Sequence, residues 1–248
     1  MIKLKIMLFL VTGILLFLGC GGIKNNNMEA NNKPRALETE LNLRKENFAK
    51  KAPAEKQKIY AEGIHAVKVS DVVGKALQVG DIATNFTLPN ASGSNVTLYD
   101  ELKKGSVILM WYRGGWCPYC NLTLHYMQEA LPEFKKYKAN LLAVSPEVPD
   151  SSMTTKEKNE LEFEVLSDVD NKVASQYKIL FSLTDEVAQI YENSFGLSKY
   201  NGNSKGELPL AATYIIGQDK VIKYAFLDPD YRNRAEPQDL IDFLKRMK

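Results

Sequence analysis

Apolar positions along the chain change rhythm in a way that separates its parts. Between residues 34 and 78 the composition is polar, but Leu37, Leu41 and Phe48 recur at roughly helical spacing. Ile59, Ile64 and Val67 do so more loosely, with a break at Pro53. The pattern predicts a helical extension that packs one face on the main domain. From Gly80 the rhythm shortens: residues 86–89 and 96–98, around a polar turn, predict a small hairpin. Residues 106–112 are almost continuously apolar, as expected of a strand buried on both faces, and residues 140–145 repeat the signal. Between them a helix is predicted from about Cys117, with Leu124, Met127, Leu131 and Phe134 on its inner face.

Further on, the pattern predicts a helix at 152–160, a short strand at 164–166, and helical pieces at 171–177 and 184–195. A Gly/Asn/Ser loop at 200–207 precedes a hairpin of 212–216 with 221–226. A last helix opens near Pro237, burying Leu240, Ile241 and Leu244. Strand–helix units followed by a hairpin and a helix imply an α/β domain, a mixed central sheet with helices on both faces.

The first residues belong to a different kind of segment. Lys3 and Lys5 precede an apolar run, residues 6–18, too short for a comfortable membrane span and closed by Gly19-Cys20. This reads as an export signal. It resembles a bacterial lipobox, with Phe17 and Leu18 where the pattern has Leu and a small residue, and with Cys20 as the acylated N-terminus. The expected division is a signal peptide at 1–19, lipidated Cys20 and an Asn-rich tether to 34, a helical extension at 35–78, and the α/β domain at 79–248. The protein is then an exported, membrane-anchored lipoprotein of the cell envelope. An uncleaved anchor and a signal cut elsewhere are the alternatives.

Charge excludes one class of function. The chain has 32 Lys and Arg against 30 Asp and Glu; loss of the signal takes Lys3 and Lys5 with it and leaves near neutrality. Basic and acidic residues are interspersed, so no stripe suited to nucleic acid exists. Of three cysteines, Cys20 belongs to the signal, and Cys117 and Cys120 stand two residues apart. An exported chain this long with no framework of paired cysteines is not disulfide-stapled.

A Cys-x-x-Cys can be half of a zinc site, but a four-ligand site needs a second pair, and His65 and His125 lack ligand spacing. A structural disulfide closing so small a loop would stabilise little. At the first turn of a helix, unpaired N–H groups and the helix dipole favour a thiolate, and the second sulfur lies one turn on, within bonding reach. Gly114 and Gly115 let the chain turn out of the strand, Trp116 can shield one side of the sulfur, and Arg113 either reaches over the helix end or is a solvated loop cation. Tyr119 is expected to face the surface and His125 to be a partly buried packing residue. No cofactor motif is present.

The stretch Tyr112-Arg113-Gly114-Gly115-Trp116-Cys117-Pro118-Tyr119-Cys120-Asn121 resembles peroxiredoxin-like proteins of the alkyl hydroperoxide reductase and thiol-specific antioxidant superfamily. Phe86-Thr87-Leu88-Pro89, Val165-Leu166-Ser167-Asp168, Ala212-Thr213-Tyr214-Ile215-Ile216, Asp228-Pro229-Asp230-Tyr231 and Arg234-Ala235-Glu236-Pro237 extend the likeness over residues 36–248. The resemblance implies a thioredoxin-like fold and thiol-dependent reduction of hydrogen peroxide or organic hydroperoxides, with a thioredoxin-like donor. The family's Pro-x-x-x-Thr-x-x-Cys would put its reactive Cys on Cys120, with Cys117 at the Thr position and Arg113 at the Pro position. Its distal Arg would fall near Ala211, and the cis-Pro of thioredoxins near Pro209. Helix-end physics favours Cys117 as nucleophile and the alignment favours Cys120. A thiol–disulfide oxidoreductase acting on exported protein cysteines is the alternative function.

The anchor has a direct test. Cys20→Ala is expected to move the protein from the sedimented membrane fraction to the soluble one. A variant that still sediments with membranes would assign the anchoring to the apolar run instead.

Overall fold

The computed structural model describes residues 35–247; the expected signal, Cys20 and the tether lie outside the described residues. Three helices open the fold: α1 (Ala36–Lys51), α2 (Ala54–Val69) and α3 (Val72–Lys75). A ribbon of β1 (Thr87–Pro89) and β2 (Asn95–Thr97) leads through α4 (Leu98–Lys104) into β3 (Ser106–Trp111). Then come α5 (Pro118–Lys136), β4 (Ala139–Ser145), α6 (Pro149–Lys158) and β5 (Glu164–Ser167). The next region carries α7 (Lys172–Gln176), β6 (Leu180–Ser182), α8 (Asp185–Phe195), α9 (Leu197–Asn201) and β7 (Glu207–Pro209). The hairpin of β8 (Thr213–Ile216) and β9 (Ile222–Phe226) precedes α10 (Pro237–Arg246).

The central sheet has the order β5-β4-β3-β8-β9, parallel from β5 to β3 and antiparallel across β8 and β9. Alternation along β3 separates two cores. Val107, Leu109 and Trp111 face Tyr177, just after α7, and Leu98 and Leu102 of α4. Ile108 and Met110 face Leu124, Met127, Leu131 and Phe134 of α5, together with Leu240 and Leu244 of α10. This is the expected mixed sheet covered on both faces.

Helix α1 is part of that second core, whereas Val67 of α2 and Val72 of α3 join the first. Leu37 and Leu41 of α1 are buried in the second core, so one helix face is committed to the domain. The first residue before α1, Arg35, supplies no side-chain cap. The cap comes from far along the chain: the Glu236 carboxylate accepts from the Leu37 N–H at 3.3 Å and the Glu38 N–H at 3.0 Å. Arg35 also pairs with Asp239 at 2.9 Å, and Lys45 donates to Asn233 at 2.6 Å.

Three expectations need correction. The segment 200–207 is not all loop: α9 runs to Asn201, and β7 pairs with β6, which the sequence pattern did not mark. Residue 98 opens α4 instead of continuing a strand, because Asp100 and Glu101 in the first turn and Lys103 and Lys104 in the last suit a helix. Every peptide bond among the described residues is trans, including that of Pro209, which sits in β7 opposite Leu180.

Burial of α1 predicts a stability effect. Leu37→Ala is expected to lower unfolding free energy by about 2–5 kcal/mol in urea titration. Leu43→Ala, on the exposed side of the same helix, should stay within about 0.5 kcal/mol of the parent.

Candidate active site

The end of β3 delivers Tyr112 and Arg113 to the edge of the sheet, and the chain then turns sharply into α5. Gly114 has φ of +146°, a conformation that L side chains rarely adopt. At Gly115 a Cβ would lie 2.1 Å from the Thr155 hydroxyl of α6, so only glycine lets the loop approach that helix. Cys117 is the N-cap of α5 and Pro118 its first helical residue. The Cys120 and Asn121 N–H groups both donate to the Cys117 carbonyl at 3.0 Å, and the Asn121 amide donates to the Gly115 carbonyl at 2.8 Å. The turn is therefore held from both ends.

Both sulfurs are free thiols and both are buried, Cys117 at 1% and Cys120 at 0% exposure. Exposure does not separate them. The sulfurs differ instead in what they face: Cys117 lines a groove of about 660 Å³, and Cys120 does not.

Arg113 is not a solvated loop cation. It is 2% exposed, with Nη1 3.9 Å from Cys117 Sγ and Nη2 donating to the Tyr191 hydroxyl at 2.8 Å. Its guanidinium carbon lies 4.0 Å from the Tyr231 ring centroid, 5.0 Å from Trp116 and 5.2 Å from Tyr191. Among the described residues it has no carboxylate partner. Trp116 stacks on Phe195 at 4.6 Å and lies 5.2 Å from the Tyr191 ring. Two buried donors here, Arg113 Nε and Trp116 Nε1, have no acceptor within the described protein.

Cys120 accepts from the Arg113 backbone N–H at 3.4 Å and from Arg234 Nη2 at 3.4 Å. Arg234 is a site residue that motif reading missed; the sequence marks it only within the segment resembling the family's C-terminal signature. Glu147 was missed as well. Fully buried behind the loop, its carboxylate accepts from the Gly115 N–H at 2.9 Å, the Tyr112 hydroxyl at 3.2 Å and the Thr155 hydroxyl at 3.3 Å. No spacing signal points to it, since it follows a strand end sequence-remote from the cysteines. Two other expectations reverse. Tyr119 is buried at 6% exposure, edge-on to Tyr231 at 5.7 Å. His125 has a side chain 59% exposed and faces Glu129 at 3.5 Å.

The electrostatics split the two thiols. Burial opposes ionisation of Cys117, but a hydrogen bond from the Cys120 thiol and the charges of Arg113 and Arg234 outweigh it and hold Cys117 low. Burial, that same hydrogen bond and the charge on Cys117 hold Cys120 well above the ordinary thiol range. Burial also raises the Glu147 pKa, against the three donors that favour its ionised form. One thiolate with a neighbouring thiol can reduce a two-electron oxidant and close a disulfide.

Comparison with known proteins places this geometry. The AhpC/TSA family matches residues 79–225. Peroxiredoxin Bcp of Escherichia coli is 26% identical over 169 residues, which cover 68% of this chain and 96% of the relative. The chloroplastic peroxiredoxin Q of Triticum aestivum is 25% identical over 187 residues, covering 75% and 70% of the two chains. Peroxidoxin BcpB of Mycobacterium tuberculosis superposes with a TM-score of 0.56 at 18% identity, over 69% of this chain and 99% of that one. The family match takes in more than half of the chain, including the turn that carries both sulfurs. The protein thus belongs to the AhpC/TSA family, as a peroxiredoxin-like oxidoreductase on a thioredoxin fold.

Proposed function

We propose that the chain is a thiol-dependent peroxidase in which Cys117 is the attacking thiolate and Cys120 the resolving thiol. The observation that carries this reading is that Cys117 alone of the two sulfurs opens on the groove, with the Arg113 guanidinium beside it. Attack on a hydroperoxide forms an S–O bond at Cys117 as the O–O bond breaks. The leaving oxygen departs as an alkoxide or hydroxide and is protonated by water. The Arg113 guanidinium, with Nη1 beside Cys117 Sγ, is placed to donate to peroxide oxygens as charge develops on them. It supplies part of what the family's Thr and distal Arg would otherwise contribute. The Cys120 thiol then condenses with the Cys117 sulfenic acid, releasing water and leaving a disulfide.

Reopening that disulfide consumes two thiols of an external donor, and a thioredoxin-like dithiol fits. If Cys20 anchors the protein outside the cytoplasm, the donor is an exported one. The rival reading, exchange with protein disulfides, needs a sulfur that a protein partner can approach in line. Cys117 is only 1% exposed, which favours a hydroperoxide over a protein disulfide.

Stopped-flow oxidation with hydrogen peroxide tests the assignment. Cys117→Ser is expected to abolish rapid oxidation, whereas Cys120→Ser should react and accumulate sulfenic acid at Cys117. Sulfenic acid trapped at Cys120 in Cys117→Ser would reverse the roles. Oxidation no faster than that of a free thiol, with ready reduction of insulin disulfides, would replace peroxidase by disulfide exchange.

The pH dependence has a definite sign. A depressed Cys117 pKa means that the thiolate fraction, and with it the oxidation rate, rises as pH passes upward through about 5 and is flat near neutrality. Arg113→Met, close in volume, is expected to move that midpoint up toward the ordinary thiol value of about 8.5 and to slow oxidation about a hundredfold. An unchanged midpoint would remove Arg113 from the reaction.

A further inference from the structure

Of the three rings that face Arg113, Tyr231 is the nearest. Its centroid lies 4.0 Å from the guanidinium carbon, against 5.0 Å for Trp116 and 5.2 Å for Tyr191. It stands in a turn, beyond residues 79–225 that match the family model. A ring on a loose turn would be a poor wall for a buried charge, but this turn is braced from within. The Asp228 carboxylate accepts from the Asp230 N–H at 2.7 Å and from the Asn233 side-chain amide at 2.9 Å. The Asp230 carbonyl accepts the Asn233 N–H at 2.9 Å. The Asp230 carboxylate holds Arg232 by its backbone N–H at 2.9 Å and its guanidinium at 2.8 Å. Lys45 of α1 reaches Asn233 at 2.6 Å, so the turn is also fastened to the first helix.

A braced ring fixes the cation that rests on it. The negative face of an aromatic ring attracts a guanidinium, and the attraction is strongest where water is excluded, as it is at the 2% exposure of Arg113. Tyr119 packs edge-on against Tyr231 at 5.7 Å, on α5, and supports the ring in turn. The contact between Arg113 and the sulfur has little slack. Nη1 stands 3.9 Å from Cys117 Sγ, so a small displacement of the guanidinium takes it out of reach. Other charged and titratable groups also face this pair. They are Cys120 of α5 and Arg234 from the same stretch as Tyr231, with Tyr60 of α2 and Tyr191 of α8 against Arg113; Glu147 faces Cys120.

We infer that Tyr231 is a positioning residue for the reaction, its ring face fixing the Arg113 guanidinium against the sulfur of Cys117. The inference rests on the peroxidase reading and adds to it a residue that acts through Arg113, not on the oxidant. The ring does this with its π-face, so the hydroxyl of Tyr231 is dispensable. When the ring face loses its negative charge, Arg113 spends less time beside Cys117, and the thiolate becomes harder to form. Only the electrons of the ring then change, while the other groups around the pair stay as they are.

The experiment alters the charge on the ring and keeps its shape, so folding is not at stake. The full chain with Tyr231→Phe is compared with versions in which that ring carries some and then all of its hydrogens as fluorine, which drains the negative face. The midpoint of Cys117 ionisation is read twice, from the pH dependence of oxidation by hydrogen peroxide and from that of alkylation by iodoacetamide. Tyr231→Phe is expected to keep the parent midpoint. Full fluorination should raise it by about one pH unit, a tenfold loss of thiolate below the midpoint, with partial fluorination in between. In the Arg113→Met background fluorination should leave the midpoint unmoved. A midpoint indifferent to fluorination, an equal shift without Arg113, or Tyr231→Phe alone matching full fluorination overturns the assignment. Alkylation that follows fluorination, with peroxide reacting no faster than with a free thiol, upholds the hold of Tyr231 on Arg113 and overturns the peroxidase reading.

Discussion

A guanidinium buried without a carboxylate is the constraint around which this site is built. Removing such a charge from water costs several kcal/mol even after relaxation. Arg113 offsets it with one hydroxyl, from Tyr191, three ring faces, and the sulfur of Cys117. Tyr191 comes from α8, Tyr231 from the segment before α10, and Trp116 from the turn itself, so distant parts of the chain must be in place before the cation is tolerated. The nearest group able to supply a full negative charge is Cys117. Arg113 therefore favours the reduced, ionised state of the pair, and a disulfide whose reduced form is so stabilised reopens readily.

Burial, the hydrogen bond to Cys117 and the charge on Cys117 keep the second sulfur from sharing that charge. Glu147 accepts the Gly115 N–H from behind the loop, and its negative charge and that of a Cys120 thiolate would repel each other. The N–H donors on Cys120 sulfur, from Arg113 and Arg234, work against this split without overturning it. They become useful later, when Cys120 must give up its proton to attack.

What the sequence displayed of all this follows from how local each feature is. The β3–turn–α5 unit was legible because an apolar strand, two glycines and a Cys-Pro-Tyr-Cys turn are contiguous, and the hairpin and α10 were legible from simple periodicity. The short β6–β7 pair was not, because three-residue strands are too short to carry a period. Arg234, Glu147 and Tyr231 act through positions fixed only by the folded sheet. Each is an ordinary polar residue in its own neighbourhood. The same holds for Tyr119: its neighbours in sequence suggest a surface, and only Tyr231, more than a hundred residues on, covers it. His125 fails in the opposite sense, since its place on α5 falls on the face turned from the core.

The last structural question is how the site continues past residue 225, where the match to the family model stops. The segment from Asp228 to Glu236 answers it. Tyr231 covers Arg113, Asn233 receives Lys45 from α1, Arg234 reaches Cys120, and Glu236 caps the start of α1. Within a few residues the segment touches both sulfur environments and fastens the N-terminal helix. A turn closed by the Asn233 N–H on the Asp230 carbonyl at 2.9 Å sends these side chains in different directions, so one stretch of chain serves the site and the helix at once. The extension is consequently tied to the dithiol through this stretch as well as through the apolar face of Leu37 and Leu41.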